Sequence, residues 1–191
     1  MSRKNIYFLC VTGILAALGT AIYMTVPEIP VFGPLKLGFH DIPSIIGGAL
    51  IGTPCGILIQ IIMNLIHLTV SSSMGFGELI NVLIGSAVVY TYSGLYRFLK
   101  KKIPEANVLI VATVGTGIIS VVWGLLVNIA VDPPYMLAFN MFSVEGYIGF
   151  VTASVWLNLF KFTVVSAMAS IIIFPLSRVV KFNHDRSHTS A

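Results

Sequence analysis

The chain has 191 residues, 57% of them hydrophobic and 9% charged, with a formal net charge of +4 and a mean hydropathy of +0.95. Soluble domains carry about 25% charged residues, so this chain has too few to cover a water-facing surface, and a soluble enzyme or binding domain is excluded. The basic residues flank apolar runs in short clusters, which membrane topology explains and nucleic-acid binding does not.

The first element is expected over residues 5–26. The run "MSRKNIYFLCVTGILAALGTAIYMTV" has a basic start but is long for a secretory signal and lacks an A-x-A site, so it reads as an uncleaved first span. A Pro/Gly-rich loop, "PEIPVFGPLKLGFHD", follows. Helix 2 is expected over 42–53, helix 3 over 56–71, helix 4 over 78–98 and helix 5 over 107–130. Helix 6 follows a second long loop, over 152–178. The chain thus reads as an all-α integral membrane protein, a single domain over 1–191 with six transmembrane helices and a disordered tail from about 182. The clusters Arg3/Lys4, Arg97/Lys100/Lys101/Lys102 and Arg178/Lys181/Arg186 place both termini in the cytoplasm. Glu28, Asp41, Glu78, Asp132 and Glu145 then fall outside. Cys10 and Cys55 read as small core residues, and Tyr90, Tyr92 and Tyr96 as an interfacial belt.

The polar residues inside these spans share one level. Gln60, Asn64, His67 and Ser71 lie on one face of helix 3, since spacings of 4 and 3 are one helical turn. Glu78 and Asn81 open helix 4, Asn128 and Asp132 close helix 5, and Ser154, Asn158 and Lys161 share a face of helix 6. All of these fall in the outer half. A charge facing lipid costs about 2.5–3.5 kcal/mol even on the mildest scale, so they are expected to line an outward-facing polar pocket with Lys161 at its floor. Each Asn is either a ligand contact or interhelical glue, and His67 is either a pocket residue or an interfacial one. Lys161 either binds ligand or pairs with Glu78 or Asp132. The aromatics Phe32, Phe39, Tyr135, Phe139 and Phe142 of the outer loops are interface anchors or a lid. Gly13, Ala17 and Ala21 form a small-xxx-small series on helix 1, for docking a partner helix or for packing within the bundle. There is no nucleophile–base motif, no P-loop and no metal-ligand spacing, so neither catalysis nor a cofactor is expected. A secondary transporter is disfavoured by the absence of repeated halves and of an intramembrane acid.

With these residues in place, the chain resembles the substrate-binding (S) components of energy-coupling factor (ECF) vitamin transporters over about residues 5–180. It is similar to the riboflavin type in "LKLGFHDIP" (family pattern LKxDFSDVP), in Gly77 and Asn81, in Asn128 followed by "PPY", and in "WLNLFK" with Asn158 and Lys161. It departs at Gly38 and His40, at Met63, and at Trp156 and Leu157. The resemblance implies a vitamin bound from outside by Asn64, His67, Glu78, Asn81, Asn128, Tyr135, Asn158 and Lys161. It also implies a transmembrane coupling subunit docked at Gly13, Ala17 and Ala21, and two cytoplasmic ATPase subunits. Amides and a lysine suit pantothenate, a carboxylate bearing hydroxyls, which is the expected ligand, with riboflavin the alternative.

Overall fold

A computed structural model of the chain describes residues 3–32, 35–71, 75–139 and 144–189. In chain order it contains α1 (Arg3–Thr25), a hairpin of β1 (Ile29–Phe32) and β2 (Leu35–Leu37), α2 (Ile42–Leu50), α3 (Thr53–His67), α4 (Phe76–Leu99), α5 (Glu105–Phe139) and α6 (Val144–Thr189). Stretches of α1, α4, α5 and α6 are long and apolar enough to cross a membrane: Asn5–Thr25, Gly77–Leu99, Glu105–Val131 and Gly146–Arg178.

Two helices do not reach the expected six full spans. At nine residues, α2 rises only about 13 Å, close to half of a hydrocarbon core of roughly 30 Å. Its N-terminus lies beside Lys161, midway along the α6 stretch, because Asp41 pairs with that lysine. Its C-terminal end meets the C-terminal end of α4, where Arg97 donates a hydrogen bond to the carbonyl of Gly48. α2 therefore runs beside only about half of the α6 stretch, and the hairpin packs against another part of α6. α3, starting after Gly52, runs back alongside α2 over 15 residues.

The hairpin is the first departure from an all-helical reading. Its strands pair antiparallel, Ile29 opposite Leu37 and Pro30 opposite Lys36, with an irregularity between Pro30 and Phe32. The second is at the long loop between α5 and α6. α5 runs on to Phe139 and α6 begins at Val144, so most of that loop is helical; in a medium without water a helix keeps its backbone groups bonded internally. Phe142 and the side chains of Phe32, Tyr135 and Phe139 lie outside the described residues, whereas Phe39 packs against the main core.

That core joins α2, α4, α5 and α6 through Ile45, Val88, Val89, Val108, Ala112, Val165, Ala169 and Ile173. Tyr92 and Tyr96 belong to it rather than to an interfacial belt. They are 0% and 1% exposed, and their hydroxyls meet Ser170 Oγ and Glu105 Oε1. Of the three tyrosines only Tyr90 is exposed. Cys55 is a core residue against Thr12, while Cys10 is exposed. Close helix approach explains several glycines. A Cβ at Gly56 would strike the Ser44 carbonyl, and Cβ atoms at Gly117 and Gly124 would strike Thr163 and Asn158 across the α5–α6 seam.

α1 packs on α2 and α3 through one face, where Thr12, Ala16, Thr20 and Tyr23 are buried. Gly13, Ala17 and Ala21 lie on an exposed face beside it, and among the described residues nothing stands within 4 Å of where a Gly13 Cβ would be.

Candidate functional site

The polar residues of α3, α4 and α6 converge with the turn that precedes α2. Lys161 Nζ lies 3.1 Å from Asp41 Oδ2, with both side chains nearly inaccessible. Gln60 Nε2 donates to Asp41 Oδ1 at 2.7 Å and to Ser44 Oγ at 2.8 Å. One turn further along α3, Asn64 donates to the carbonyl of Gln60 at 2.9 Å. A buried charge is tolerated only when paired and hydrogen-bonded, and Asp41 has both kinds of partner. The carboxylate therefore ties the hairpin end of the chain to α3 and α6 at once.

Beside this pair stands an aromatic stack. The Tyr23 ring lies between His40, at 3.8 Å between centroids, and His67, at 3.6 Å. His67 Nδ1 is 2.9 Å from Glu78 Oε1, and Asn81 donates to the Tyr23 hydroxyl at 2.8 Å. On the other side His40 Nδ1 is 3.6 Å from Glu28 Oε1, and Glu28 in turn is 3.7 Å from Lys36. The stack is thus carboxylate, imidazole, phenol, imidazole, carboxylate, running from the hairpin through α1 to α3 and α4. Gly38 makes room for it: a Cβ there would sit 2.8 Å from His40 Nδ1 and 2.9 Å from Glu28 Oε1.

A second polar group lies on the α5–α6 seam. Asn128 donates to Ser154 Oγ at 2.6 Å, Ser120 Oγ donates to the Asn158 carbonyl at 3.2 Å, and the Asn158 side chain covers Gly124. An apolar cleft of about 600 Å³ opens between the hairpin and α6, lined by Ile29, Val31, Leu37, Ala153, Trp156, Leu157 and Phe160. That volume is in the range of small-molecule sites, about 300–1,000 Å³. Among the described residues no cluster of three or more His, Cys, Asp or Glu side chains could hold a metal ion.

The family model for "ECF transporter, substrate-specific component" matches residues 8–178. The chain belongs to this family. The S component is a multi-pass membrane protein of a prokaryote, with a role in transport. It is 22% identical over 174 residues to the riboflavin transporter RibU of Staphylococcus aureus (strain TCH60), covering 91% of this chain and 88% of that one. It also shares its fold, at a TM-score of 0.70 and 22% identity, with a solved structure described as the S component of a bacterial ECF transporter; the match covers 93% of this chain and 99% of that one.

In this S component the residues singled out from the sequence divide into two groups. Asn64, His67, Glu78, Asn81 and Lys161 join one network. Asn128 and Asn158 lie on the seam, and the Tyr135 side chain lies outside the described residues. Among the described residues the lysine's partner is Asp41 rather than Glu78, and the Asp132 side chain lies outside them. The sequence reading missed Tyr23, Glu28, His40 and Asp41 as site residues. The signal available was the run "GFHD", whose acid and imidazole directly precede a nine-residue apolar helix.

Proposed function

We propose that this S component captures riboflavin, or a flavin of like shape and charge, from the outer face of the membrane. The observation that carries the reading is the Asp41–Lys161 pair. The ammonium group already has a carboxylate at 3.1 Å, so pantothenate would have to displace Asp41 to be neutralised. An uncharged ligand makes no such demand. The apolar cleft suits a flat, fused ring system, and Asn158, one turn from Lys161 on the same helix, suits the polar edge and hydroxyl chain of a flavin. The similarity to a riboflavin transporter agrees with this.

The assembly follows the family pattern. Both termini lie in the cytoplasm, the exposed stripe of Gly13, Ala17 and Ala21 receives the transmembrane coupling subunit, and two ATPase subunits drive uptake. Small residues suit such docking because they let helix backbones approach closely.

Riboflavin fluorescence titrated with the purified protein in lipid nanodiscs tests the ligand. The expected result is saturable quenching by riboflavin that excess pantothenate does not reverse. Tight pantothenate binding, with no effect of riboflavin, would overturn the proposal.

A further inference from the structure

Where α4 ends, about 25 Å along α6 from Lys161, the bundle carries a charged surface that vitamin capture does not use. α4 stops at Leu99 and α5 begins at Glu105. The turn between them folds back on itself, since the amides of Lys102 and Ile103 both donate to the Leu99 carbonyl, at 2.8 and 3.1 Å. Lys100, Lys101 and Lys102 are thus held within one turn, and all three are exposed. Arg178 of α6 joins them. α5 and α6 run antiparallel, with Thr113 opposite Ser170 and Gly124 opposite Asn158, which brings the exposed Arg178 level with Glu105.

These four cations have little acid to meet. Among the described residues Glu105 is the one carboxylate at this end, and it accepts from the Tyr96 hydroxyl at 3.0 Å. None of the four has a carboxylate within 4 Å among those residues. Lys100 gives one of its donors to the Tyr96 hydroxyl at 3.0 Å and keeps the others free to turn outward. Two of the cations lie back over rings of their own segment. Lys102 Nζ stands 3.9 Å from the centroid of Phe98, itself 63% exposed, and the Arg178 guanidinium 4.4 Å from that of Phe174. Both rings sit in the last turns of stretches that can cross a membrane. These contacts therefore hold the charges at the level of the headgroups that flank the hydrocarbon core, instead of letting them extend into water. Membrane sidedness calls for positive charge here, but not for this arrangement.

We propose that Lys100, Lys101, Lys102 and Arg178 form a binding surface for the phosphate of an anionic phospholipid headgroup. Ammonium and guanidinium groups make charge-assisted hydrogen bonds to phosphate oxygens. Four or more basic residues beside a membrane span attract anionic lipid, each by about 5-fold in affinity. A lipid bound there ties the α4–α5 turn to the end of α6, whichever vitamin the other site carries.

The test is native mass spectrometry of the full chain in detergent, titrated with phosphatidylglycerol or with zwitterionic phosphatidylcholine of the same acyl chains. The wild type is expected to hold phosphatidylglycerol about 10-fold or more tighter than phosphatidylcholine, and Lys100→Gln/Lys101→Gln/Lys102→Gln to narrow that preference to about 3-fold or less. The charge-keeping variant Lys100→Arg/Lys101→Arg/Lys102→Arg is expected to retain the preference, and its loss there overturns the proposal. Equal binding of the two lipids by the wild type also overturns it, whether or not the Gln variant folds. So does a folded Gln variant with the full preference. Displacement of phosphatidylglycerol by inorganic phosphate, but not by chloride at the same ionic strength, would make free phosphate the ligand and overturn the lipid assignment.

Discussion

Replacing Lys161 by methionine leaves Asp41 in place at 2% side-chain exposure with no cation beside it. At 3.1 Å and an effective dielectric constant of about 20, the attraction between the two charges is roughly 5 kcal/mol before desolvation is set against it. Removing one partner of a buried pair costs about 3–5 kcal/mol, because the other charge stays uncompensated. Gln60 still donates to Asp41, which holds the loss toward the lower end. Removing both charges is different: the double variant Asp41→Asn/Lys161→Met keeps volume and hydrogen bonding and is expected within about 1–2 kcal/mol of the wild type, since apolar replacements of buried pairs are often close to neutral. Denaturant unfolding in mixed micelles, followed by helical circular dichroism, measures all three proteins. The reasoning fails if Lys161→Met unfolds within 1 kcal/mol of the wild type, or if the double variant is no more stable than the single one.

Three further outcomes are expected. Gly38→Ala pushes a methyl group against His40 and Glu28 and should weaken riboflavin binding about 5-fold or more, the equivalent of about 1 kcal/mol, in the same fluorescence titration. Gly124→Ala drives a Cβ into the Asn158 side chain across the α5–α6 seam; overpacking of this kind costs about 1–3 kcal/mol, to be read as a lower unfolding midpoint in mixed micelles. Gly13→Leu fills the exposed stripe of α1 and should reduce co-purification with the coupling subunit several-fold, with riboflavin titration of the isolated protein unaltered, because among the described residues nothing stands within 4 Å of a Cβ at that position.

The helices that cross the membrane were legible because hydropathy over some 20 residues is a strong signal, and α1 and α4 lie within two residues of their expected ends. Less was legible where the chain enters the membrane without crossing it. The hairpin was hidden in a loop whose Pro30 and Pro34 argue against ordinary strands. The end of α5 was hidden because Pro133 and Pro134 usually stop a helix. The polar faces of α3 and α6 could be read from spacing, since 3.6 residues make a turn and Gln60, Asn64 and His67 obey it. The partner of Lys161 could not. Asp41 is 120 positions away, in a segment with no helical period to fix which way it points, and only the tertiary fold brings it within 3.1 Å of the lysine. Tyr23 was equally hidden, as one more apolar position in a hydrophobic run, until two imidazoles were found on its faces.

That separation also sets an order of events during synthesis. At about 5–20 residues per second, Lys161 is made roughly 6–24 s after Asp41. Until then the carboxylate has no ammonium group to meet, and an unpaired charge at the bilayer centre is costly. α1 and α4 are apolar enough to insert by themselves, but the Asp41–Lys161 pair cannot close before α6 has been made. The helix that brings Lys161 thereby completes a site whose other side chains, from Tyr23 to Asn81, were all made before it.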